Sequence, residues 1–233
     1  MKRLIFSISM LSFACSVLSG QTKDGISTTG NRQVDLGLSV MWGTCNVGAD
    51  NPEEYGDYFA WGETRPKNEY SWSTYIYNSD NKGKKFSKYV NRKRQGNRDK
   101  KSKLDLSDDA AHVILGGNWR MPTHQEQYEL ITECRFVLEE LNGVKGYRAY
   151  SRVNNNSIFI PFAGAFHKES VIHNDDGSYW TSELEPHGSL FDRGSANARM
   201  YVILKDDVGQ GSSPRFIGMP VRPVWDPDLS SNN

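Results

Sequence analysis

The residue types that do chemistry are present, but they are not grouped as most chemistry requires. Five histidines, His112, His124, His167, His173 and His187, form no His-x-His or His-x-x-x-His pair. Zinc sites need such spacing beside a thiolate or an acid, so no metal is expected. No Gly-x-Ser-x-Gly turn exposes a nucleophilic serine. Gly116-Gly117 and Gly209-Gln210-Gly211 lack the strand–helix setting or the lysine of a phosphate loop. Acids are plentiful, yet no spacing selects two of them as an acid–base pair. No cofactor is expected.

What the sequence does offer is charge. Eleven bases and one acid, Asp99, lie between Lys82 and Lys103. The segment is net +10, against −12 for the rest of the chain after its first twenty residues. Lys84, Lys85, Arg92, Lys93, Arg94, Lys100 and Lys101 are the candidates for gripping a polyanion such as an anionic glycan, a lipopolysaccharide phosphate or a nucleic acid. Only Phe86 and Tyr89 interleave, which gives stacking on bases little support. A block of like charge repels itself, so residues 82–103 read as a mobile, solvated insertion. Docking onto the acidic remainder of the same chain is the other reading.

The elements that hold these residues must come from a chain of 233 residues with 28 Lys+Arg against 28 Asp+Glu. At 37% hydrophobic and 12% aromatic, it is long and greasy enough for a real core. That excludes a disordered chain, a coiled coil and a polytopic membrane protein.

Residues 1–20 read as a signal peptide. Lys2-Arg3 precede an apolar run from Leu4 to Leu18, and Ser19-Gly20-Gln21 supply small residues for cleavage. The run is too short and too serine-rich to span a bilayer well. Lipoprotein processing at Cys15 is the alternative, against which bulky Phe13 stands. The expectation is a secreted or cell-surface (periplasmic) protein, free or lipid-tethered, with no transmembrane segment in the mature chain. Export leaves Cys45 and Cys134 as an even pair in an oxidising compartment. A disulfide between them, closing a loop of 89 residues, would contribute roughly 4–5 kcal/mol on chain-entropy grounds. Two buried thiols are the other reading.

Residues 21–33 read as a polar tether. Val34 to Trp42 alternates in part and reads as an edge strand, and Tyr58 to Gly62 as a short apolar one. Residues 66–103 read as loop, with Tyr70, Trp72, Tyr75 and Tyr77 lying over the core. A first helix starts at Ser107 as N-cap and stops at Gly116-Gly117. A second opens on the capping box Thr123-x-x-Glu126 and buries Leu130, Ile131 and Cys134. Strands follow at 157–164, 179–182 and 197–205, the last alternating cleanly, and Gly218 to Val224, interrupted by prolines, closes the sheet. Helices in the middle and strands at both ends give an α+β class with an antiparallel sheet.

A series of motifs is then recognisable. Val34-Asp35-Leu36-Gly37-Leu38-Ser39-Val40-Met41-Trp42 is followed by Cys45-Asn46-Val47-Gly48-Ala49 and by Tyr55-Gly56-Asp57-Tyr58-Phe59-Ala60-Trp61-Gly62-Glu63-Thr64. Gly117-Asn118-Trp119-Arg120-Met121-Pro122-Thr123, Gly143-Val144-Lys145-Gly146-Tyr147, Tyr179-Trp180-Thr181-Ser182 and Val221-Arg222-Pro223-Val224 complete it. From about Val34 to Val224 the chain resembles the Fibrobacter succinogenes major paralogous domain family of secreted bacterial proteins. The resemblance implies a C-type-lectin-like fold: a small twisted antiparallel sheet, two helices and a long loop region, over residues 34–225, with a polar tail at 226–233. It implies no general activity. Trp119 to Thr123 with Glu126 is also similar to a motif of formylglycine-generating enzymes, whose chemistry needs cysteines late in the chain; none follows Cys134 here. The motif then reads as structural, with Trp119 buried, Arg120 pairing a carboxylate and Pro122-Thr123 starting the helix. Arg222 reads as an ion-pair partner.

Many lectins of that fold hold calcium, which wants several converging oxygens. Glu183, Glu185-Pro186 and Asn154-Asn155-Asn156 offer oxygens without the usual sugar-binding signatures, so none is expected. The fold would place a ligand surface on the loops after residue 180, with Tyr179, Trp180, Glu183, Arg193, Asn197 and Arg215 as candidates. Aromatic faces stack on sugars and arginine forks to carboxylates. The function expected is an exported, non-catalytic binding or adhesion module for a glycan or protein. A surface-displayed scaffold with variable loops is the alternative, and an enzyme related to the formylglycine-generating fold comes last.

Overall fold

The computed structural model describes residues 31–173, 175–185 and 195–229. The signal peptide, most of the tether, Arg193 and the end of the tail lie outside them. No helix among the described residues is long and apolar enough to cross a membrane.

The first and last described strands lie in one sheet. Strands β1 (Gln33–Val34), β2 (Met41–Gly43), β3 (Trp119–Arg120) and a closing strand at Val224–Trp225 lie antiparallel, and Val224 pairs with both Trp42 and Arg120. The expected strand from Val34 to Trp42 is thus broken by bends, with Leu36 buried between its halves. The folded body also begins before Val34. Arg32 donates its N–H to the Thr44 hydroxyl, and the Asn31 amide oxygen accepts from Cys45 N.

Helix α1 (Ala110–Leu115) follows a single 3-10 turn at Leu106–Asp108. Its N-cap is Asp109, not Ser107: one carboxylate oxygen accepts from His112 N, and both accept from Met121 N. Helix α2 (His124–Glu133) carries the expected capping box, with Thr123 and Glu126 satisfying each other's backbone N–H. Arg120 then clamps Glu126 through two nitrogens and reaches Asp226, so the tail's first residue belongs to the body.

The helix ends at Cys134, and an eight-residue strand, β4 (Cys134–Leu141), starts there. Asn142 and Gly143, with φ of 50° and 84°, turn it into β5 (Val144–Ser151), and β6 (Ser157–Pro161) completes a three-stranded sheet. Both turn residues are left-handed, as a two-residue type I′ hairpin requires. A small hairpin, β7 (Ala165–His167) and β8 (Ser170–Ile172), leads to the third sheet: β9 (Gly177–Leu184), β10 (Asn197–Leu204) and β11 (Asp207–Pro214), in the order β11-β10-β9. The closing strand Val224–Trp225 is β12.

β9 is buried on both faces. Tyr179 joins one apolar cluster with Trp42, Leu130, Ile158 and Tyr201; its neighbour Trp180 joins a second with Phe59, Trp61, Tyr89 and Met121. In β10 the alternation breaks at a bulge between Ala198 and Met200, so the buried residues are Ala198, then Tyr201 and Ile203. The α+β class holds, with four antiparallel sheets among the described residues rather than one.

Candidate functional site: a basic lobe seated against the late strands

Residues 82–103 are folded onto the body. Phe86, Tyr89, Val90 and Gln95 are buried, so the expectation of a wholly solvated insertion is corrected. The segment earns its place by apolar burial: a Phe side chain removed from water contributes about 2 kcal/mol. Backbone bonds fix its path, with Ser79 N reaching Lys85 O, Phe86 N reaching Gln95 O and Ser87 N reaching Tyr77 O. Gly96, at φ 144°, lets Phe86 O approach where any Cβ would sit 2.3 Å away.

The single acid of the run is its keystone. The Asp99 carboxylate accepts from Tyr89 N at 2.6 Å, Val90 N at 2.9 Å and Lys101 N at 3.0 Å. Tyr89 itself sits at φ 59°, a left-handed conformation costly for an aromatic residue. It is held there at its other end, where its hydroxyl donates to Asp108 and accepts from Asp105 N. Burial raises the Tyr89 phenol far above its ordinary value, and the Asp108 hydrogen bond adds to that. Lys88 reaches Asp108 and Asp105. Burial would lower its pKa, but those two carboxylates outweigh it and raise it, so the ammonium stays charged.

Arg215 pins the lobe from below. Its guanidinium lies among the rings of Trp61, Tyr75, Tyr77, Phe86 and Tyr89, at 4.9 to 5.9 Å from their centroids. It donates to the Tyr75 hydroxyl and to the carbonyls of Ser195, Tyr89 and Lys88. The aromatic faces supply negative potential, and carbonyl dipoles replace the water that the cation gave up. Arg222 is solved the same way, by Asn46 Oδ1 and the carbonyls of Gly43, Thr44 and Phe159, not by the expected carboxylate.

The outer surface of the lobe keeps its charge. Lys84, Lys85, Lys93, Arg94, Lys100 and Lys101 are exposed and Arg92 is half-buried. Lys85 Nζ donates to Arg94 O at 2.7 Å, which sets Lys84-Lys85 beside Lys93-Arg94. Lys101 is partly neutralised by Asp105 at 2.7 Å.

The sequence treats the basic segment and the late loops as separate sites; the structure makes them neighbours. Leu104 N bonds Ser182 O and Leu184 N bonds Ser102 O, while Asn91 N donates to the Ser195 hydroxyl and Ser195 N to Gln95 Oε1. The late-loop candidates themselves fare differently. Tyr179, Trp180 and Arg215 are wholly buried and offer no face to a ligand. They are corrected to core residues, because β9 is covered on both sides and Arg215 is enclosed by rings. Glu183 and Asn197 are half-buried, and Glu183 Oε2 accepts from His124 N. The Asn154–Asn156 run is separately engaged, with Asn154 and Asn156 donating to Asp35 O. No group of three or more His, Cys, Asp or Glu among the described residues is arranged to hold a metal ion.

No disulfide joins Cys45 and Cys134; both are buried thiols. Cys134 packs in the first cluster, while Cys45 donates to Thr44 Oγ1 and Asp50 O. Burial pushes the Cys134 thiol up to about 11 and raises that of Cys45.

The residues that sequence reasoning missed are Asn91, Gln95, Asp99 and Asp108. One signal was available: a lone acid inside a run of eleven bases. Comparison of the chain with protein-family models, curated proteins and solved structures returns no match in any of the three.

Proposed function

We infer that the chain is an exported, non-catalytic binding module, and that its ligand is an anionic glycan held on the basic lobe. The observation that carries this is the seating of the lobe. Asp99, Arg215 and Tyr89 fix its backbone, so the exposed bases are offered on a folded support. Ordering before binding lowers the entropic cost of association. The aromatics of the segment are turned inward, which leaves no platform for stacking bases and favours a glycan over a single-stranded nucleic acid. Exposed Asn81, Ser87, Asn97 and Ser102, interspersed among the bases, suit sugar hydroxyls. Export rests on the composition of residues 1–20. A C-type-lectin-like arrangement is the fold we propose, supported by the pairing of first and last strands around two helices and a long loop region.

A glycan array that includes sulfated and uronate polymers, read at two salt concentrations, tests this. Binding that weakens with salt and is lost in Lys84→Glu/Lys85→Glu/Lys93→Glu/Arg94→Glu supports it. Binding to neutral glycans or a protein that survives those changes would move the site to the half-buried Glu183 and Asn197. An array with no binding at all would leave the displayed-scaffold reading.

A further inference from the structure

The first strand of the middle sheet has an open edge. In a hairpin closed by Asn142-Gly143, Leu141 and Val144 exchange hydrogen bonds, and alternate residues back along β4 do the same. Neighbouring bonds agree with this phase: Phe162 N bonds Lys145 O on the far side of β5, and Arg152 N bonds Glu133 O on the near side. Val137, Glu139 and Arg135 therefore point their backbone groups inward to β5. Phe136, Leu138 and Glu140 point theirs outward, and among the described residues no backbone partner meets them. Leu138 is 48% exposed at this edge. Such a row of unpaired groups is a template for another strand.

We propose that β4 pairs with β4 of a second copy of this chain, joining two three-stranded sheets into one of six strands. The occupant follows from charge and register. A two-fold axis normal to the sheet through Val137 places Val137 opposite its own copy. Arg135 and Glu139 lie two residues to either side of Val137 on the same face, so each Arg135 meets the partner's Glu139. On the other face Phe136 meets the partner's Leu138, covering the exposed leucine. The outward groups of Phe136 and Leu138 then form the hydrogen-bonded pairs. Moving the axis to Leu138 would set Phe136 against Glu140 and Val137 against Glu139, mismatching both faces. In the chain itself Glu139 already holds Arg148 and Tyr150, and Arg135 lies over the Tyr150 ring, so both charges are fixed in place before a partner arrives. The other long edge, β11, is a poor rival. It carries Gly209 and Gly211, ends in Pro214, and its Gln210 is tied to the start of α2 at His124 O.

The test uses the purified exported chain. With the native thiols buried, Val137→Cys should give a disulfide-linked dimer under mild oxidation, and Leu138→Cys should not. Sedimentation of the unmodified chain should show a concentration-dependent dimer. Arg135→Glu and Glu139→Arg should each weaken it about ten-fold or more, since each sets like charges opposite in both symmetric pairs. An equimolar mixture of the two variants should recover the dimer, because both contacts are again complementary. A chain that stays monomeric, a crosslink through Leu138→Cys in place of Val137→Cys, or no recovery on mixing would overturn the proposal. The crosslink keeps it falsifiable if Glu139→Arg, facing Arg148, fails to fold.

Discussion

The guanidinium carbon of Arg215, near the end of the chain, lies 4.9 Å from the centroid of the Phe86 ring in the basic segment. This contact joins a run of repelling charges to the core. The cation is satisfied by rings and carbonyls, with the Tyr75 hydroxyl 2.8 Å from its Nε.

Arg215→Met should therefore destabilise the protein by about 3 kcal/mol, because it leaves several buried acceptors without donors. Arg215→Lys keeps the charge but not the fork, and should cost about 2 kcal/mol. Urea unfolding of the three proteins checks the order. Equal midpoints would mean that the rings alone hold the lobe.

Acid should weaken the fold partly through Glu126. Burial pushes this carboxyl up, but Arg120 and the Thr123 backbone outweigh it and hold it below its ordinary value. A group depressed in the folded state stabilises above its unfolded pKa and loses that contribution as pH falls through the folded one. Stability should thus decline below about pH 4. Glu126→Gln should lose about 2 kcal/mol at pH 7 and show a flatter acid limb. Thermal melts across pH 2.5 to about 7 would show it; parallel acid limbs in the two proteins would refute the assignment.

The capping box at Thr123 and the clamp from Arg120 to Glu126 are legible in sequence because seven consecutive residues hold the whole device. So is the stop at Gly116. β4 is not: Leu130, Ile131 and Cys134 continue a helical stripe, and only the Asn142-Gly143 turn behind them, with its long-range pairing to β5, pulls Cys134 to Leu141 into a strand. Trp180 in its strand motif reads more often as core than as a ligand platform, yet its sequence does not decide between them, since a strand covered on both faces leaves no polar–apolar alternation. Arg215 is illegible for a related reason. Its five rings come from residues 61 to 89, and nothing local says that they converge. The basic run reads about equally as a solvated insertion or as one docked on the body, because charge is a local signal and Phe86, Tyr89 and Val90 are few.

The thiols make a sharp check on the core. Both are buried and their pKa values are raised, so little thiolate is present at neutral pH. Ellman's reagent should leave the folded chain nearly untouched and titrate both groups in denaturant. A native mass short by two hydrogens would instead show that the pair had oxidised.

Asp99 separates charge from preorganisation. Asp99→Asn makes the lobe more basic by one unit, and on charge alone it should bind a sulfated polymer more tightly. It also replaces a carboxylate that accepts three backbone N–H groups, from Tyr89, Val90 and Lys101, with an amide that has one acceptor oxygen. Tyr89 would then hold its left-handed backbone with less help, and residues 96–103 should open more often. The variant should bind several-fold more weakly at low salt despite its extra charge. Its amide exchange should rise at Tyr89, Val90 and Lys101 and stay unchanged in β5. Tighter binding with unchanged exchange would mean that the bases act as a diffuse cloud of charge, and that their folded support is irrelevant to recognition.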